Sequence, residues 1–145
     1  MLLIFKRRIK MADLNNITNT ADTTAEFDQN DIQQNKIMAV LAYLGILVLV
    51  PILAAKNSKY ARYHANQGLV LLIANIVVSV VMGIVGFIVG LIAGFTGLTF
   101  LATLVTIISW LLSAVIFVLA ILGIINAATG KAKELPVIGK IKLLK

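Results

Sequence analysis

The stretch KNSKYARYHANQG, residues 56–68, organises this chain, because it is the charged segment that separates two long apolar runs. No Asp, Glu, Lys or Arg occurs between Arg62 and Lys131. Hydrophobic residues make up 60% of the 145 residues, which is well above their share in soluble domains. The sequence therefore predicts an all-α integral membrane protein rather than a water-soluble domain.

Three charge-free apolar runs predict three transmembrane helices, at about residues 37–55, 68–94 and 100–128. At 1.5 Å per residue even the shortest run reaches about 28 Å, close to the thickness of the hydrocarbon core. Pro51 predicts a bend in the first run, because it cannot donate a backbone hydrogen bond. Residues 1–35 are polar and predict a disordered tail, so residues 36–145 form the predicted membrane domain, which ends in a basic C-terminal tail.

The positive charges predict how the protein sits in the membrane. With three crossings, the stretch at 56–68 and the C-terminal tail share one side, and that side carries most of the lysines near helix ends. The positive-inside rule places this side in the cytoplasm and the N-terminus outside the cell. The sequence therefore predicts a multi-pass protein of the cell membrane. Anionic lipid head groups are the predicted partners of its basic residues. These residues are Lys56, Lys59, Arg62, Lys140, Lys142 and Lys145.

Small and polar residues recur on one face of the second predicted helix. They follow one another at steps of three or four, which is the spacing of one helical face, and they end in a GxxxGxxxG pattern. This face predicts close approach of another backbone. Packing against the first or third helix of the same chain is favoured over self-association into an oligomer or pore. The residues are Asn75, Ser79, Gly83, Gly86, Gly90 and Gly94.

His64 is the candidate for chemistry, because it is the one histidine in the chain. It stands beside Tyr63 and ahead of Gln67, with no carboxylate near it in sequence, so an interfacial hydrogen-bonding role is favoured over catalysis or metal binding. The sequence contains no catalytic set, metal cluster, phosphate-binding loop or cysteine. It therefore predicts that the protein is not an enzyme and has no cofactor or metal. Nucleic acid is not a predicted partner, because no binding motif accompanies the lysines.

Four short segments resemble a family of small bacterial membrane proteins of unassigned function, which includes the magnetosome membrane proteins MamF and MmsF. The segments are residues 36–44, 62–67, 126–130 and 135–139, and the most specific pieces are His64-x-x-Gln67 and the ending with Pro136 and Gly139. The family is similar to the chloroplast inner-envelope import component of the Tic complex. Leu135 stands where that family commonly has an aromatic residue. The resemblance implies a helical bundle without known catalysis, sometimes attached to membrane organisation or protein translocation.

These observations favour a non-enzymatic structural or accessory subunit that acts by helix packing and a basic cytoplasmic face. The alternative is an oligomeric pore or translocation component, in which the face from Asn75 to Gly94 and the hydroxyls of Thr106, Ser109 and Ser113 surround a path. A third reading is an enzyme that uses His64. Membrane lipids, a second copy of the chain or another membrane protein are the predicted partners.

Overall fold

The computed structural model describes residues 1–8 and 19–144, and the regular secondary structure of these residues is helical apart from an isolated β-bridge between Asp22 and Lys133. This confirms the predicted all-α class. A short helix, α1, occupies residues 2–8. Four further helices follow: α2 (Gln29–Leu41), α3 (Leu49–Ala54), α4 (Lys59–Thr96) and α5 (Thr99–Ala128). Short 3-10 turns lie at Thr24–Glu26 and Gly45–Val48.

Helices α4 and α5 form a long antiparallel hairpin. Gly97 turns the chain between them with a left-handed φ of 74°, and its amide donates to the Ala93 carbonyl at 2.8 Å. At 1.5 Å per residue the two helices are about 57 and 45 Å long, enough to cross a bilayer. Both are also apolar enough to do so, and their large side chains point away from the protein, including Phe87 and Trp110. The predicted runs at 68–94 and 100–128 therefore lie in two continuous helices.

The first predicted span, residues 37–55, is not a single helix, and this prediction is wrong. Helix α2 ends at Leu41, and Gly45 adopts a left-handed φ of 62° before α3 begins at Leu49. An α-helix cannot continue through that conformation, which glycine adopts at little cost. Pro51 does not bend a long helix, because it lies in the first turn of α3, where its missing N–H has no intrahelical acceptor.

The N-terminal polar segment packs against the C-terminal tail. The amide of Thr23 donates to the Ala132 carbonyl at 2.9 Å, and the amide of Glu134 donates to the Ala21 carbonyl at 3.0 Å. Asp22 accepts hydrogen bonds from the amide and hydroxyl of Thr24, which lower its pKa. Three crossings would separate this segment from the tail by a membrane, so the structure differs from the predicted arrangement.

The predicted disorder of residues 1–35 is also wrong for the last part of that range. Asp28 caps α2 by accepting from the amide of Asn30 at 2.8 Å, and Ile32 is only 2% exposed. The helix cap and the buried Ile32 side chain thus hold the start of α2 in place. Residues 9–18 of the predicted tail lie outside the described residues.

The buried core lies at one end of the hairpin. Residues 20–67 and 127–144 assemble there around the first turns of α4, and we call this assembly the cap. The hairpin beyond it has few buried side chains. Core residues of the cap come from α2, α4, α5 and the tail, and include Ile32, Ala39, Tyr43, Tyr60, Ala65, Ala127, Ala132 and Leu135.

Candidate functional site

His64 lies at the centre of the cap and is fully buried. Its Nε2 atom is 3.0 Å from the Lys131 carbonyl oxygen, and its Nδ1 atom is 2.7 Å from the Tyr43 hydroxyl. A carbonyl can only accept, so Nε2 carries the proton of the neutral ring and Nδ1 accepts from the Tyr43 hydroxyl. The ring therefore joins α4 to the end of α2 and to the start of the C-terminal tail.

Three tyrosine rings surround His64. The ring centroids of Tyr60, Tyr63 and Tyr43 lie 4.7, 5.3 and 5.7 Å from its own, all in edge-to-face arrangements. The Tyr60 hydroxyl donates to the Ala127 carbonyl at 2.8 Å, next to the end of α5. Such ring pairs add to the stability given by buried area, so the cluster holds the ends of three helices together.

Gln67 binds the tail next to Pro136, where the tail returns to α4. The side-chain oxygen of Gln67, which is 1% exposed, accepts from the Leu135 amide at 2.8 Å. Pro136 then begins a turn in which the Gly139 amide donates to the Leu135 carbonyl at 3.0 Å. A Cβ atom at Gly139 would lie 2.6 Å from that carbonyl oxygen, so the turn requires glycine. The structure thus brings together the two most specific pieces of the sequence pattern.

Two polar residues that the sequence analysis did not single out hold the start of α4. Ser58 caps the helix by accepting from the Ala61 amide at 3.0 Å, and its hydroxyl donates to Asp31 at 2.6 Å. Asp31 also accepts from the Tyr60 amide at 3.0 Å. A serine before a helical run was a readable capping signal. The role of Asp31 was not readable, because it lies in the polar tail of the sequence.

Asn66 fixes the end of the C-terminal tail. Its side-chain nitrogen donates to the Ile141 carbonyl at 2.7 Å, and its side-chain oxygen accepts from the amides of Leu143 and Leu144 at 2.6 and 2.9 Å. It stands next to Gln67, so consecutive residues of α4 bind two parts of the tail. The position of Asn66 between His64 and Gln67, in the polar first turns of α4, was the sequence signal that could have identified it.

The small-residue face of α4 is not packed in the way the sequence predicts. A Cβ atom added at Gly83, Gly90 or Gly94 would meet no atom within 4 Å, and one at Gly86 would make only an ordinary contact with Val105. Packing of this face against the chain's own helices, the favoured interpretation, is therefore seen at Gly86 but not at Gly83, Gly90 or Gly94. Asn75 and Ser79 are exposed on α4 as well, with no side-chain hydrogen bond to any described residue.

The hydroxyls proposed to line a path on α5 bond within their own helix. Thr106 donates to the Ala102 carbonyl at 3.0 Å, and Ser109 donates to the Val105 carbonyl at 2.9 Å. Such back-bonding satisfies a hydroxyl in an apolar environment without a water path. Ser113 instead lines a cleft of about 250 Å³ between the hairpin and the turn at Tyr43, opposite Asn75.

The candidate lipid-binding cations lie around the cap. Lys56, Lys59, Lys140 and Lys142 are exposed, and Arg62 is half-buried. Lys145 lies outside the described residues. Lys59, Arg62 and Lys142 line one cavity of about 250 Å³, and Lys56 lies with Lys59 on a second, polar cleft beside α2.

The polar side chains of this arrangement bond to one another and to the backbone. His64 has both ring nitrogens engaged by Tyr43 and Lys131, which leaves neither atom for a substrate or metal. Among the described residues, no group of three or more His, Asp or Glu side chains is placed to hold a metal ion. The polar side chains of the cap instead hydrogen-bond backbone groups at helix ends and in the tail.

Comparison with known proteins connects these residues to one family. The sequence profile of the magnetosome magnetite crystal formation protein family, MamF/MmsF, matches residues 34–144. The magnetosome protein MamF of Paramagnetospirillum magneticum is 46% identical over 41 residues, which is 28% of this chain and 37% of that protein. MamF of Magnetospirillum gryphiswaldense matches with the same identity and the same coverage. The chain thus aligns with little more than a third of the length of these curated relatives, and no solved structure matches it.

Proposed function

The chain belongs to the MamF/MmsF magnetosome protein family, and on that premise we propose that it is a non-enzymatic integral membrane protein that serves as a structural or accessory subunit. We place it in the magnetosome membrane, because the family is named for magnetosome magnetite crystal formation and both relatives are named magnetosome proteins. The observation that carries the proposal is the division of the chain into a long apolar hairpin and a folded polar cap.

In this proposal α4 and α5 are the two crossings, and the cap lies on one membrane face. The segment Gly45–Ala54 is apolar but only about 15 Å long, so it enters the membrane from the cap side without crossing. The hydrogen bonds between residues 21–23 and 132–134 favour an N-terminal segment on the same side as the tail. The concentration of lysine at the cap favours the cytoplasmic side.

Single cysteines test this topology, because the natural sequence contains none. We expect Ala25→Cys, Asn57→Cys and Val137→Cys to react with a membrane-impermeant maleimide from one side, and Leu98→Cys, in the α4–α5 turn, to react only from the other. Membranes should retain all four variants after alkaline extraction. Labelling of Ala25→Cys and Leu98→Cys from the same side of the membrane would instead support three crossings. Release of the protein into the supernatant would contradict the membrane proposal altogether.

Location is tested separately in a magnetosome-forming bacterium. We expect a fluorescent fusion of the full chain to co-purify with magnetic particles and to stay with them until detergent dissolves their membrane. A fusion that fractionates only with the bulk cell membrane would contradict the magnetosome assignment, while leaving the topology intact.

The alternative function is an oligomeric pore or translocation component, and one observation favours it. The face of α4 from Asn75 to Gly94 carries an exposed amide, an exposed hydroxyl and glycines, and among the described residues only Val105 comes within 4 Å of a Cβ atom added at these glycines. Side-chain amides in membranes form hydrogen bonds between helices, and glycines let two backbones approach. The likeness to the chloroplast import component stays a prediction and belongs to this alternative.

Gly90→Leu tests that face. If copies associate through it, the bulkier side chain should reduce the cross-linked dimer fraction in bilayers by about tenfold or more, because it holds the backbones apart. Val81→Leu is the matched control, since it is exposed on α4 about 180° around the helix from Gly90. Equal cross-linking in both variants would rule out association through the glycine face.

A further inference from the structure

A cationic cavity lies between the start of α4 and the C-terminal tail. It has a volume of about 250 Å³ and is lined by Lys59, Arg62, Tyr63, Asn66, Gly139, Lys142 and Leu144. Among these lining residues three are cations and none is a carboxylate. Cationic side chains that line one partly enclosed site attract an anion.

The cavity depends on how the tail is held. Asn66 forms three hydrogen bonds with the backbone at Ile141, Leu143 and Leu144. These bonds place Lys142, between two of the fixed positions, opposite Lys59 and Arg62 although the sequence separates them widely. The site is therefore built by the fold, because residues from α4 and from the tail must meet to form it.

The position of the cavity along α4 indicates where its ligand comes from. Arg62 precedes the start of the apolar run at Gly68 by about 9 Å along the helix axis. When the apolar run lies in hydrocarbon, the cavity lies in the head-group layer, where phospholipid phosphates are found. Tyr63 and Leu144 give the cavity an apolar wall as well, which suits the glycerol backbone next to a phosphate.

We propose that this cavity binds the phosphate head group of an anionic phospholipid, with Lys59, Arg62 and Lys142 as its cationic ligands. Basic pockets at the cytoplasmic ends of membrane helices bind such head groups in this way. The proposal rests on the proposed membrane function and adds a defined lipid site to it. One bound lipid links α4 to the tail and thereby couples the cap to the membrane composition.

The test uses the full chain, purified in neutral detergent and titrated with phosphatidylglycerol or phosphatidylcholine, with bound lipid counted by native mass spectrometry. We expect the protein to prefer phosphatidylglycerol. The double variant Lys59→Gln with Lys142→Gln should weaken phosphatidylglycerol binding by about tenfold or more, because each lysine near an anionic head group strengthens binding several-fold. Lys142→Gln alone, which changes only the tail, should give a smaller loss in the same direction.

The matched control is Lys131→Gln with Lys133→Gln, which removes the same charge from the tail but does not alter the cavity lining. We expect this control to bind phosphatidylglycerol like the natural chain. Equal losses in the two double variants would overturn the site, because they would show attraction by net charge alone. Displacement of the lipid by millimolar inorganic phosphate would assign the cavity to a soluble anion instead. A protein that extracts as membrane-embedded but shows no phosphatidylglycerol preference would overturn this proposal and leave the proposed function standing.

Discussion

Gly68→Ala should break the contact between α4 and the end of α2 and lower the free energy of unfolding by about 3 kcal/mol. A Cβ atom at Gly68 would lie 1.8 Å from the Ala42 carbonyl oxygen and 2.6 Å from its carbon. Both atoms belong to the backbone, so no side-chain rotation relieves the clash. The segment from Ala42 to Tyr43 must move away, and Tyr43 then loses its place against His64.

The measurement is thermal or denaturant unfolding of the purified protein in detergent, followed by the helical circular dichroism signal. Gly83→Ala and Gly90→Ala are matched controls on the same helix, because a Cβ atom at either position meets nothing within 4 Å. Alanine is about 1 kcal/mol better than glycine in a helix, so these controls should unfold at the same temperature as the natural chain or higher. Equal melting temperatures for Gly68→Ala and Gly90→Ala would contradict the close contact at Ala42.

This contrast also shows what glycine spacing reveals. The spacing correctly places Gly83, Gly86, Gly90 and Gly94 on one face of a helix, but it carries no information about what lies opposite that face. Within α4 and α5, the tight contacts occur at Gly68 and Gly123, which lie outside the GxxxGxxxG pattern. At Gly123 a Cβ atom would lie 2.2 Å from the Tyr43 ring, so two neighbouring residues after α2, Ala42 and Tyr43, set the two requirements.

Hydropathy predicts the two long helices but not the break in the run from 37 to 55. A hydropathy average counts Gly45 as a neutral residue, whereas its left-handed backbone ends one helical segment and allows another to begin. Composition likewise does not show that part of the N-terminal polar tail is folded. Phe27 lies against the rings of Tyr60 and Tyr63 at centroid distances of 6.1 and 5.4 Å, so a few anchors fold a segment that is polar on average.

The candidate site is predictable only in part for a related reason. His64, Gln67, Pro136 and Gly139 stand out in the sequence, and the structure places them at one end of the hairpin. Their partners are mostly backbone atoms, such as the Lys131 carbonyl and the Leu135 amide, and these carry no sequence signal. A pattern of side chains can therefore identify the donors and acceptors of the cap without showing what they bind.

His64→Phe should lower the free energy of unfolding by about 2–4 kcal/mol, because it keeps an aromatic ring in place but removes both hydrogen bonds. The Tyr43 hydroxyl and the Lys131 carbonyl are then left without their partner, and a buried unsatisfied polar group costs about 1–3 kcal/mol. Unfolding in detergent measures the loss. Tyr60→Phe is the control, because it removes a hydroxyl of the same ring cluster that does not bond to His64. It should lower the free energy of unfolding by about 1 kcal/mol, because the bond to the Ala127 carbonyl is lost.

Tyr43→Phe separates the two bonds of His64. Alone it should cost about 1–2 kcal/mol, since it leaves Nδ1 of His64 without a donor. Combined with His64→Phe it should add little, because the bond it removes is already absent, and the double-mutant cycle should give a coupling energy of about 1 kcal/mol. An enzyme that depends on His64 predicts a different pattern, in which His64→Phe folds as stably as the natural chain and loses a turnover. Full stability of His64→Phe would therefore contradict the structural role, whereas a coupled loss with Tyr43→Phe would show that this histidine holds the ends of the helices together.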